Sequence, residues 1–308
     1  MENYLLAMAI FAGLYALMAL GLNVIWGLAG MVNLGLVGFY AIGAYGSALL
    51  TTRLGWPIGA GVAAGVVLAA AAGALVAVLT ARLRGDYLAI VTLGFAEVVR
   101  LVAINETGLT RGTDGISGIP GPFRAVLTPS AYNLLMVSLV WSAVAVVGLA
   151  LARLAGSPWG RVLRAVREDE TVAGVAGKPV LRFKLQAFVA GAGVLGLAGA
   201  LYAHYNAYVA PDAFGPLVTL NIVLALSAGG TGRMSGAVLG GILVVALAEG
   251  ARFAGGALPS LRPVQIAALQ QAGIGVLLIV ILHVRPDGLL PERIRQRRPP
   301  VTGRAPLG

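Results

Sequence analysis

Nine apolar stretches run along these 308 residues, most of them about 20 residues long, and a helix needs about that length to cross a hydrocarbon layer of about 30 Å. Seven are clear: Tyr4 to Trp26, Leu34 to Leu50, Pro57 to Thr80, Tyr132 to Leu154, Leu185 to Tyr205, Ala237 to Phe253 and Val264 to Val284. Two are weaker. Glu97 and Arg100 interrupt Tyr87 to Ile104, and Leu217 to Ala228 is short enough to be a broken or re-entrant helix. Backbone polar groups in lipid must be satisfied within the segment itself, so the expected fold is all-α, a polytopic bundle of about 8–9 transmembrane helices.

Composition agrees with a lipid setting. Hydrophobic residues make up 58% of the chain and charged ones 11%, against about 25% charged in an ordinary soluble domain. Many of the 44 glycines fall within apolar runs, where they allow helices to approach closely. A net charge of +10 raises nucleic-acid binding as a reading, but the basic residues cluster at the ends of apolar runs and form no basic domain with interleaved aromatics. No cysteine is present, which excludes disulfides and thiolate metal sites. Met1-Glu2-Asn3-Tyr4 has no basic lead-in and no small-residue cleavage site follows, so the first stretch reads as a retained span.

Lys and Arg set the expected orientation. With nine crossings and the amino terminus outside, fifteen of them fall on the inner side and five on the outer, which puts the carboxyl terminus in the cytoplasm. Residues 1–290 then form a transmembrane domain and 291–308 a basic cytoplasmic tail. Two loops are long enough to carry function, an outer one rich in Gly and Pro at 105–131 and an inner charged one at 155–184. Leu28-Ala29-Gly30-Met31 faintly echoes Thr231-Gly232-Arg233-Met234, as a trace of an inverted repeat would.

In the inner loop Ser157 and Pro158 read as an N-cap and a first helical residue. Val162, Leu163 and Val166 make an apolar stripe, while Arg161, Arg164, Arg167, Glu168, Asp169 and Glu170 stay polar. Such a helix either docks into a groove of a soluble partner or lies on the membrane surface. Charges within a span need partners, and Glu97 and Arg100, three residues apart, can pair and face the bundle interior as a pathway lining or as a structural pair. Asn33 bonds between helices or lines the pathway, and with Thr92, Glu97 and Arg100 it completes the candidate pathway set. Glu249 reads as a snorkelling or interhelical contact, and His204 and His283, at opposite faces, read as interfacial side chains that cannot share a metal. No residues assemble for general acid–base or nucleophilic catalysis. No Gly-x-x-x-x-Gly-Lys-Ser/Thr phosphate loop occurs either, so nucleotide energy must enter through another chain.

The segment from Gly160 to Gly177, with Arg164, Ala165, Arg167-Glu168-Asp169-Glu170 and Ala173 between, resembles the coupling loop of permeases of the branched-chain amino-acid ABC importer family. Gly21-Leu22-Asn23 through Gly30, Asn33-Leu34-Gly35 and Ile42-Gly43-Ala44-Tyr45 are similar to that family's first two spans. Gly85-Asp86-Tyr87-Leu88 through Gly94, Thr113-Asp114-Gly115-Ile116 and the ending Arg285-Pro286-Asp287-Gly288-Leu289 are similar to its LivM-like type. The likeness covers roughly 21–290, and departs from it where Thr113-Asp114-Gly115 replaces the commoner Gly-Gly-x-x-Gly.

The resemblance implies a multi-pass protein of the bacterial inner membrane that carries leucine, isoleucine and valine, or a related small amino acid or amide. It implies a second, LivH-like permease, two cytoplasmic ATP-binding subunits that hold ATP and Mg, and a periplasmic or lipid-anchored solute-binding protein. This chain would bind no cofactor and no nucleic acid, only membrane lipid and its partners. Arg167, Glu168 and Glu170 would form the polar contacts to the ATPase, with Gly160 and Gly177 as turns. The outer loop reads as a surface for the binding protein or as a connector. A stand-alone ion-coupled transporter or channel is the alternative, and it would want more buried acids than these spans offer. An integral-membrane enzyme lacks the residues for chemistry.

Overall fold

A computed structural model describes residues 2–83, 85–256, 263–285 and 288–292. α1 (Glu2–Leu22) continues directly into a π-helical turn, Asn23–Leu28. α2 (Leu36–Arg53), α3 (Ile58–Leu79) and α4 (Gly85–Asn105) follow, then a short α5 (Thr107–Thr110) and a two-residue strand, β1 (Ile116–Ser117). α6 (Pro129–Gly156) leads into the short α7 (Pro158–Glu168) and α8 (Glu170–Val175), and α9 (Val180–Asn206) leads into β2 (Tyr208–Val209). α10 (Pro216–Gly229), α11 (Met234–Gly256) and α12 (Pro263–Val284) are the last helices among the described residues.

Nine of these helices coincide with the nine apolar stretches, and the fold is an all-α polytopic bundle. Among the described residues five helices are long and apolar enough to cross a membrane by themselves: α1 with its π-turn, α3, α4, α6 and α9. α10 is not. Its 14 residues reach about 21 Å. A turn of 3-10 helix, Pro211–Phe214, precedes it and buries Phe214 among Tyr40, Tyr45 and Tyr202. α10 therefore starts inside the bundle, as expected of a broken span.

Lipid tails give no hydrophobic drive for helices to associate, so small residues set the packing. α9 packs on both α2 and α3, α4 leans on α2, and α1 packs on α6 and α11, with α10 against α11. Where α2 crosses α9, a Cβ on Gly43 or Gly199 would collide with the facing backbone, at Gly196 and Tyr40 respectively. Bulky side chains such as Leu17, Met18, Phe39 and Phe188 fill the centre, while Val67, Leu75, Val78, Val146 and Leu149 stand exposed on the outside of α3 and α6. α9 runs the length of the bundle. It thus separates an end carrying α7 and α8 from one carrying the antiparallel pair β1–β2, where Ile116 lies opposite Val209.

Candidate functional site

At the first of these ends α7 starts at Pro158 as the sequence predicts, but the Ser157 hydroxyl does not cap it and instead donates back to the Leu154 carbonyl at 2.6 Å. Its apolar face buries Leu163 and Val166, and Trp159 donates to Gln186 of α9 at 2.9 Å. Gly160 is no turn. It lies within α7, where a Cβ would strike the Ala155 carbonyl, so the need is for close approach. Gly177 does turn the chain, at φ +75°.

The polar residues divide differently from the sequence expectation. Arg167 points into the bundle, where it donates to the Gly27 carbonyl at the end of the π-turn and pairs with Glu292 at 2.7 Å. Glu292 also draws in Arg164 at 3.8 Å. The Arg167 side chain abuts both Gly30 and Gly232, which belong to the two echoing segments. The second segment also meets the π-turn that leads into the first: Gly232 N–H donates to the Asn23 side-chain oxygen at 2.8 Å. Glu170 pairs with Lys184 of α9 at 2.7 Å, and Asp169 caps α8 by accepting from the N–H groups of Thr171 and Val172. Arg161, Ala165, Glu168 and Val172 remain exposed along a groove of about 510 Å³, with the buried Ala173 at its base. Sequence reasoning missed Glu292, because it read the segment after α12 only as a basic tail. That tail lies outside the described residues beyond Glu292.

At the opposite end the Gly-rich loop is tied down. Ile119 N–H donates to the Ala207 carbonyl at 3.2 Å, and Arg53 donates to the carbonyls of Gly108 and Leu109. His204 is not interfacial. It is 2% exposed, with Nδ1 2.6 Å from the Pro120 carbonyl and Nε2 2.8 Å from the Ser47 hydroxyl. A carbonyl can only accept, which assigns the proton to Nδ1 and leaves Nε2 to accept from Ser47. His283 is exposed at the far end of α12, so the two histidines are apart as expected. Glu249 makes an interhelical contact, accepting from the Tyr4 hydroxyl.

The candidate pathway residues fall into two sets. Asn33 and Thr92 are fully buried. Thr92 accepts from Leu34 N–H at 3.0 Å and so pins the α1–α2 connection to α4, while Asn33 accepts from Gly35 N–H at 2.7 Å within that connection. Glu97 and Arg100 do pair, Nε donating to the carboxylate at 3.0 Å. They do not face the interior. α4 rests on its neighbours through Leu88, Ala89, Thr92, Ala96 and Ala103, a mostly small stripe with no room for two long ionic side chains. The pair stands on the outside instead, partly exposed beside Ile90, Leu93, Val98 and Leu101. A charged group at the centre of a lone span costs about 2.5–3.5 kcal/mol, so this face is ill suited to lipid.

A family model described as branched-chain amino acid transport system / permease component matches residues 4–282. The chain is 34% identical over 300 residues to the high-affinity branched-chain amino acid transport system permease protein LivM of Escherichia coli K12, covering 90% of this chain and 68% of that one. It is 28% identical over 330 residues to a probable LivM permease of Methanocaldococcus jannaschii, covering 91% of each. The LivH permease of Escherichia coli K12 is 28% identical over 292 residues, 90% of this chain and 91% of that one. No solved structure matches the chain.

Proposed function

The chain belongs to the family of branched-chain amino acid transport system permease components, and on that premise we propose that it is the membrane-spanning subunit of an ABC importer for leucine, isoleucine and valine or a related small amino acid or amide. It is a multi-pass membrane protein, and in this reading it sits in a bacterial inner membrane with its carboxyl terminus in the cytoplasm, as the fifteen-to-five division of basic residues favours. A second, LivH-like permease stands beside it. Two ATP-binding subunits that hold ATP and Mg lie against α7 and α8, and a solute-binding protein meets the strand end. The energy source lies on those partners, because the chain has no phosphate loop of its own.

The observation that carries the reading is the construction of α7. Leu163 and Val166 root it, Arg164 and Arg167 bind it to Glu292 and the end of α1, and its other side presents Arg161, Ala165 and Glu168 along an open groove. A helix anchored on one side and exposed on the other can pass a push from a soluble partner to the spans behind it.

Uptake of labelled leucine into proteoliposomes holding the chain with its co-purified partners tests this, with ATP hydrolysis read in parallel. Uptake should require ATP, and Glu168→Lys, a change on the exposed face, should lower uptake and hydrolysis together by about tenfold through weaker docking. Uptake indifferent to both ATP and the substitution would establish a stand-alone transporter.

A further inference from the structure

We infer that the outward face of α4 is the surface on which the second permease subunit packs, so that Glu97 and Arg100 lie between the two chains and not in lipid. The inference rests on the reading above that this chain works beside a second permease.

α4 is held to its own chain along one side. On the opposite side lie Ile90, Gly94, Glu97 and Leu101, spaced four, three and four residues apart, the alternation with which one helix presents a seam to another. Ile90 and Leu101 are exposed, and the space a Cβ on Gly94 would fill has no atom within 4 Å. A small residue in an open notch, flanked by aliphatic knobs, is how membrane helices let a neighbour's backbone come close.

Charge selects the occupant. The outward faces of α3 and α6 offer aliphatic side chains such as Val67, Val78, Val146 and Leu149, which lipid tails cover without loss. α4 places a carboxylate and a guanidinium on the same kind of surface, within its span. Lipid tails cannot hydrogen-bond to them, whereas a second permease can supply polar groups or a shared hydrated route. The turn Pro211–Phe214, which carries Asp212 and precedes the broken helix α10, packs against α4. Irregular backbone at membrane depth is tolerated where protein or a water-filled cavity covers it, which places the same requirement on this side of the bundle.

The chain has no cysteine, so single labels can be placed without background. Ile90→Cys, Gly94→Cys and Leu101→Cys would be spin-labelled, with Val67→Cys and Val146→Cys as lipid-facing controls. Collision with oxygen, which concentrates in lipid, would be read by electron paramagnetic resonance in nanodiscs holding the chain with its second permease and ATPases, and holding the chain alone. The α4 labels should be shielded several-fold relative to the controls in the complex, and should lose that shielding in the chain alone. Labels on α4 as exposed as the controls, in a complex that still transports leucine, would overturn this inference and leave the proposed function standing. Shielding that persists in the chain alone would show self-association and would also overturn it. A chain that never co-purifies with a second permease would remove both readings. Should the labels disturb assembly, oxidative cross-linking of unlabelled Leu101→Cys to a cysteine scan of the second permease's spans gives the same decision, a cross-link supporting the interface and its absence in a transporting complex rejecting it.

Discussion

His204 fastens three parts of the molecule with one ring: its own helix α9, Ser47 of α2 and the Pro120 carbonyl of the Gly-rich loop. Its backbone carbonyl adds a fourth, accepting from the Tyr132 hydroxyl of α6 at 3.0 Å. In His204→Leu the volume is roughly kept and both ring bonds are lost, leaving a buried hydroxyl and a buried carbonyl without partners. We expect a loss of about 2–3 kcal/mol, read as a lower Tm in detergent and faster proteolysis within 105–131; an unchanged Tm and cleavage rate would mean the loop is held by β1–β2 and the bonds of Ile119 and Arg53 without His204. The sequence shows a histidine near the end of an apolar run and says nothing of a partner 157 positions earlier. The same blindness hid Glu292, whose partner Arg167 lies 125 positions away. Glu249 and Tyr4 are 245 positions apart, yet that contact was within reach as a type, because an acid near a helix end must meet either a neighbour or the membrane surface.

Elements were far more legible, because the length of an apolar run is a local property. All nine long helices, and the shortness of α10, could be read from runs of side chains. Which way a helix faces is not local. The i, i+3 spacing of Glu97 and Arg100 announced their pairing, but α4 turned them outward because a stripe of small residues makes its contact with the bundle. Glycine content foretold close packing without saying which glycines touch. The crossing of α2 and α9 is the place where it matters, and Gly199→Leu, whose side chain would meet the Tyr40 carbonyl of α2, should force the two apart at a cost of about 1–3 kcal/mol, seen as a fall in Tm and in yield of monodisperse protein. Gly94→Leu on α4, which meets empty space, should leave the isolated chain as stable as before. Equal losses from the two substitutions would contradict this account of the α2–α9 seam.

For the molecule as a whole, under the proposed function the connections made by Arg167 would decide how a push on α7 spreads. It reaches the end of α1 through Gly27, the α10–α11 connection at Gly232, and the segment after α12 through Glu292. Glu292→Gln keeps the shape and removes the charge. In the assembled transporter ATP hydrolysis should continue while leucine uptake falls severalfold, so that the ratio of solute moved to ATP spent drops; a proportional fall in both would reduce Glu292 to a structural prop. The helix α7 itself was expected from the sequence, but the groove beside it and the clamp behind it were not, since the clamp joins segments from across the chain. It also has a history in time. Synthesis runs from the amino end, so α7 emerges with Arg167 well before the residue that secures it, and every helix through α12 is finished first. A nascent chain interrupted just after α12 would hold the helices described above and still lack the Glu292 ion pair, leaving α7 fastened by Leu163, Val166 and the Gly27 carbonyl.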